Sequence, residues 1–160
     1  MGDEVDNEQN EHLNDLIRDW KKRLHNAQIG HYKCSEKLYD YANFTGFLLI
    51  STTTTVTALL FFDTSGPHQN CWLLLQFFLS VLSAGLASVV SFVRFAERAE
   101  LHRSAASRYG KLRRQLEFLD TYKNSQDVPT IKDKLKLLRI EWEYVSEDAP
   151  LTPKSVIPSE

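Results

Sequence analysis

Formal charge is distributed over this chain in a way that narrows its possible folds to very few. Of the 40 Asp, Glu, Lys and Arg residues, 39 lie outside residues 41–93, and the single one inside is Asp63. Averaged over 160 residues the composition is that of an ordinary soluble protein, 42% hydrophobic with a net charge of −2, so the averages conceal an uncharged insert. Residues 41–62 (YANFTGFLLISTTTTVTALLFF) and 71–93 (CWLLLQFFLSVLSAGLASVVSFV) carry no acid or base apart from Tyr41 and Cys71. As α-helices each spans roughly 33 to 35 Å, enough to cross a hydrocarbon core of about 30 Å. A helix facing water carries a charged stripe, and neither segment has one. The expectation is a transmembrane hairpin closed by the short Gly-Pro turn DTSGPHQN, residues 63–70.

Positive charge sets the expected direction. Residues 21–40 hold five Lys or Arg, residues 94–114 hold seven, and the turn holds none, so both termini are expected in the cytoplasm. The first 19 residues carry seven acids against one Arg, which is unlike the basic start of a secretory signal. On this topology Cys34 and Cys71 lie a bilayer apart and cannot bridge, and they are expected to be a free cytoplasmic thiol and a buried small hydrophobe.

The flanking segments predict helices. Ile17, Trp20, Leu24, Ala27, His31, Cys34, Leu38 and Tyr41 alternate in steps of three and four from a helix expected to begin near residue 8. No Pro interrupts residues 1–66, so this helix is expected to run on into the first apolar segment. After residue 93 a second long helix, also without Pro, shows Ala105, Tyr109, Leu112, Leu116 and Leu119 on one face. A third helix is expected over Ile131, Leu135, Leu138, Trp142 and Val145, with Thr130 and Asp133 as a capping box. The fold class is therefore all-α: an integral membrane hairpin with long helical cytoplasmic extensions, assembled as an oligomeric bundle. The expected organisation is an acidic N-terminus and amphipathic helix (1–40), the hairpin (41–93, helices 41–62 and 71–93), cytoplasmic helices (94–145) and a flexible tail (146–160).

Catalytic chemistry has little to stand on. The chain lacks GxSxG, HExxH, CxxC and a glycine-rich phosphate loop, so no enzyme, catalytic residue or cofactor is expected. His31 and Cys34 lie one helical turn apart, but without further ligands no metal site is expected. The basic run Arg94 to Arg114 reads as positive-inside charge beside anionic lipid, and nucleic acid is not an expected partner. The apolar segments carry hydroxyl and small residues instead. Thr45, Thr52 and Thr55 share a face and are candidate pore-lining residues in an oligomer, with Leu48, Leu59 and Phe62 as a candidate hydrophobic gate. Ser80, Ala84 and Ser88, with Ser83, Ala87 and Ser91 beside them, have the small-xxx-small spacing of helix packing.

The segments WKKRLHNAQIGHYKCSEKLYDYAN, AERAELHRSAASRYGKLRRQLE and IEWEYVSEDAPLTP together resemble the SLATT family of two-helix membrane proteins, over roughly residues 20–155. On that resemblance, Trp20, His31, Tyr32, Glu97, His102, Ala106, Tyr109 and Leu112 stand at recurrent positions, as structural landmarks. The resemblance implies a bacterial inner-membrane effector of an antiphage conflict system. It would oligomerise to make a pore when a separate sensor protein or nucleotide second messenger triggers it. The other expectation is a non-conducting membrane scaffold that anchors a soluble partner through its cytoplasmic helices.

Overall fold

The computed structural model describes residues 2–61, 69–123 and 128–153, with side chains from residue 11 onward apart from that of Val128. These residues are helical with no strand, in the order α1 (Gly2–Leu60), α2 (Gln69–Val93), α3 (Phe95–Tyr122) and α4 (Val128–Asp148). They divide into two compact units: Met1–Ser35 with Glu100–Glu160, and Glu36–Ala99.

The first unit is a three-helix arrangement built on the leucine seams. Ile17 and Leu24 from α1 and Leu112 and Leu116 from α3 are almost wholly buried, joined by Ile131, Leu135 and Leu138 from α4. Partner numbers reveal the direction of the helices. Between α1 and α3 they run oppositely, from Lys123 with Asn14 to His102 with His31, so these helices are antiparallel. Between α1 and α4 they rise together: the ring of Trp20 meets Trp142 edge-on at 5.6 Å, and His31 meets Thr152 beyond the end of α4. Ion pairs brace the rims, with Arg108 on Asp148 and Lys111 on Glu141 between α3 and α4. Being exposed, these pairs contribute register more than free energy. Between α1 and α3, Lys21 and Lys123 both hold Asp120, and their hydrogen bonds keep its carboxyl below the usual carboxylate range. The approach of α1 to α3 is close at Gly110, where a Cβ would come within 2.7 Å of the Gln28 amide nitrogen.

The second unit contains the apolar part of α1 and all of α2, and both helices are long and apolar enough to cross a membrane. Thr52, Ser83 and Ala99 are buried in it, whereas large side chains such as Phe44, Phe47, Phe61, Trp72 and Phe92 are exposed. A core made of small residues and a surface made of large apolar ones is the reverse of a water-soluble arrangement. The first apolar helix closes at Leu60, where the Phe61 amide donates to the Ala58 carbonyl in a tightened last turn. Phe62 lies outside the described residues.

Four boundaries differ from expectation. α1 begins at Gly2 rather than near residue 8. α4 begins at Val128, which places Thr130 inside the helix rather than at its cap; Pro129 is tolerated because first-turn amides have no intrahelical acceptor to lose. α4 also continues to Asp148, and Thr152 packs on α1, so residues 146–153 are placed where a tail is expected to start. Finally, the passage from α2 to α3 is broken at Arg94, whose φ of 51° lies in the left-handed region. A non-glycine residue there costs about 1 kcal/mol, and neither Gly nor Pro marks the spot in the sequence. Its side chain pairs with Glu97, and its carbonyl accepts from the Arg98 amide at 3.1 Å, opening α3.

Leu112→Ala empties a fully buried seam position and is expected to lower unfolding free energy by about 3 kcal/mol. Leu101→Ala, at an exposed position of the same helix, should cost less than about 0.5 kcal/mol. Guanidinium titration of the full chain in non-ionic detergent measures both; equal losses would show that the seam is not the core.

Candidate functional site

The first unit buries two histidines against each other. His31 projects from the α1 seam one turn before Cys34. His102 lies three residues before Ala105, so it begins the α3 seam. Their Nδ1 atoms are 3.0 Å apart, which requires one to donate and the other to accept. The Tyr109 ring stacks on His31 with centroids 5.4 Å apart and planes at 23°, and its hydroxyl donates to Ser146 Oγ at 3.3 Å. Thr152 Oγ1 lies 3.3 Å from His31 Nε2. Every ring nitrogen of His31 thus has a partner, and those partners come from α3 and from the segment after α4.

This environment disfavours positive charge. Burial, and secondarily repulsion from His102, lowers the His31 pKa to about 4, and burial also lowers that of His102. Double protonation would turn both Nδ1 atoms into donors and oppose two charges at 3.0 Å. The pair is therefore held neutral at physiological pH. Cys34 is buried nearby in sequence, yet among the described residues no three His, Cys, Asp or Glu side chains converge as a metal set.

Of the eight landmark residues, His31, His102 and Tyr109 come together directly. Ala106 and Leu112 are fully buried along the same helix, and Trp20 meets Trp142. Tyr32 is exposed, and Glu97 pairs with Arg94. Helical periodicity alone starts the α3 face at Ala105 and misses His102; stepping the seam back by one turn reaches it.

The candidate pore residues separate. Thr52 is buried, Thr45 half-buried and Thr55 exposed. Thr52 therefore faces into the hairpin within a single chain, where α2 is the facing helix. All three hydroxyls donate to their own helix: Thr45 to the Tyr41 carbonyl at 2.7 Å, Thr52 to Leu48 at 3.0 Å, and Thr55 to Ser51 at 2.8 Å. Leu48 and Leu59 are half-buried, and Phe62 is outside the described residues. On α2, Ser83 is buried with its hydroxyl unpartnered, whereas Ser80, Ala84, Ala87, Ser88 and Ser91 are exposed.

Because the His31 pKa is lower folded than unfolded, the unfolded chain binds more protons below pH 6.5, and stability falls as pH drops from 6.5 towards 4. His31 alone should cost about 2 kcal/mol at pH 5 relative to pH 7.5. Asp120 titrates in a lower window, so it does not obscure this one. Chemical unfolding at the two pH values, repeated on His31→Gln, should show the difference shrinking in the variant; an undiminished pH dependence would remove His31 as its source. No protein-family model matches this chain, and neither a curated protein nor a solved structure does.

Proposed function

We propose that this chain is a two-crossing inner-membrane protein, with both termini in the cytoplasm, that works by self-association as a membrane-permeabilising effector. The SLATT resemblance supplies the setting, a bacterial antiphage system in which a separate sensor or second messenger provides the trigger. One observation carries the reading: α2 and the apolar end of α1 leave their large side chains exposed and bury only small ones. Lipid covers such a surface without cost, and sister copies pack on it where small residues allow close approach. Ser80, Ala84 and Ser88 form an exposed row for that approach. Thr55 and Thr45 remain as hydroxyls to present to an axis, while Thr52 serves the hairpin itself.

The second reading, a non-conducting scaffold, is favoured by a different observation. The threonine hydroxyls bond to carbonyls of their own helix, so they need no water-filled lumen to be satisfied. Reconstitution separates the two. An effector is expected to release a trapped dye from liposomes, and Ala84→Phe should reduce that release by roughly tenfold or more without loss of insertion, because a bulky ring blocks close helix approach. Full insertion with no dye release at any protein-to-lipid ratio would assign the scaffold.

A further inference from the structure

The imidazoles of His31 and His102 meet head-on. Their centroids are 5.2 Å apart, close to the 3.0 Å gap between the Nδ1 atoms plus one ring radius at each end, so the two nitrogens point at each other. That is the line of an N–H···N hydrogen bond. A metal ion on the same line would need about 4 Å between the nitrogens, so the spacing suits a proton and not an ion. The other ring nitrogen of His31, Nε2, meets Thr152 Oγ1 at 3.3 Å, and a hydroxyl there can donate or accept.

Two protons act differently on this pair. With both rings neutral, one Nδ1–H donates and the other Nδ1 accepts. A first added proton breaks neither contact: whichever ring is cationic, a single Nδ1–H still lies between them, and the Nε2–H of His31 donates to Thr152. Its cost is burial alone. A second proton puts a hydrogen on both Nδ1 atoms, and the contact is lost with two like charges 3.0 Å apart. Burial, and secondarily the charge on His102, hold the His31 pKa down to about 4, which places that second step in the acid range. Among the described residues no carboxylate is buried against the pair. From α1, Cys34 is buried one turn on, whereas Lys33 and Glu36 are exposed. From α3, Tyr109 stacks on His31, whereas Arg98, Glu100 and Arg103 are exposed. From α4, Glu147 and Asp148 are exposed, the latter held by Arg108. Residues 149–153 carry no titratable side chain.

What yields to the second proton depends on how firmly each wall is held. α1 and α3 are fixed to each other by Ile17, Leu24, Leu112 and Leu116, all almost wholly buried. Residues 149–153 have much less to hold them. Leu151 is 96% exposed, Pro153 is exposed, Ala149 and Pro150 are half-buried, and neither proline has an N–H to donate. Thr152 ties the stretch to α1, by its hydroxyl at His31 and by its methyl beside Gly30. We propose that the His31–His102 pair is a two-proton latch on this stretch: the second proton parts the rings and frees Thr152 from α1 while the leucine seam stays packed. Opening there lets water reach both imidazoles at the cost of a few small contacts instead of the core. The latch belongs to the three-helix unit and is independent of whether the hairpin conducts.

The test is methyl NMR on the full chain in non-ionic detergent, isotope-labelled at Thr and Leu, as pH is lowered from neutral to below 4. The Thr152 methyl, assigned by its loss in Thr152→Ser, is expected to move to its random-coil position with the steepness of two protons. The Leu112 and Leu116 methyls are expected to keep their native positions through that step. His102→Asn presents an amide to His31 and leaves one charge where there were two, so in that variant the Thr152 methyl is expected to stay native throughout. Movement of Thr152 together with the leucines is global unfolding and overturns the proposal, whether or not the variant folds. A Thr152 methyl that has not moved once both rings have titrated, followed by their own ring protons, also overturns it. So does release of Thr152 in His102→Asn at the same pH as in the unaltered chain. Stoichiometric Zn²⁺ binding at neutral pH that His102→Asn abolishes would make the pair a metal site and likewise overturn the latch.

Discussion

A hydroxyl placed in an apolar helix must find an acceptor or cost a few kcal/mol, and in this chain, with buried Ser83 as an exception, the acceptors of seven such hydroxyls lie one turn back. Thr45, Thr52, Thr53, Thr55, Thr57, Ser80 and Ser88 all donate to carbonyls of their own helices. This local satisfaction is what allows an uncharged stretch rich in threonine to remain helical with its sides bare of water-seeking groups. It also frees the small side chains to act as spacers. Thr52 and Ser83 are buried because they are small enough for two helices to close over them. Everything proposed about lipid and sister copies starts from there.

The other unit relies on packing of a familiar kind with a polar inclusion. Its leucine seam continues into His31 and His102, where apolar burial gives way to two imidazoles that satisfy each other. A neutral hydrogen-bonded pair is tolerated in such a place, and a charged one is not. Protonation is therefore penalised at both ends of the seam, at the imidazoles by burial and at the other end because Asp120 is held ionised between Lys21 and Lys123. The two ends of one small bundle respond to acid in separate ranges.

Much of this was legible in the residues, and the exceptions have identifiable causes. Steps of three and four residues mark Ile17, Leu24, His31 and Cys34 as one face, and all four are buried. The absence of charge marks both apolar helices. The same periodicity gives the Thr45, Thr52 and Thr55 face but not which part of it turns towards the facing helix, because that depends on a contact distant in sequence. Arg94 was invisible for a different reason: a left-handed residue usually leaves a Gly or Asn signature, and here an arginine adopts the conformation. Pro129 misleads by suggesting a start after it, whereas a helix accepts proline in its first turn. The exposure of Phe118 and Leu137 follows from the same periodicity, since both fall beside the seam positions Leu116, Leu119, Leu135 and Leu138 rather than on them.

At position 30 the first helix meets Thr152. Glycine lacks a side chain, and where one would begin, the Thr152 methyl carbon sits only 3.4 Å away. That vacancy lets the chain's later segment lie flat over α1 and roof the imidazole next door, with Thr152 Oγ1 against Nε2. A Cβ added at 30 would meet that methyl carbon at ordinary van der Waals distance. The buried imidazole of the first helix is thus covered in part by a threonine 121 residues downstream.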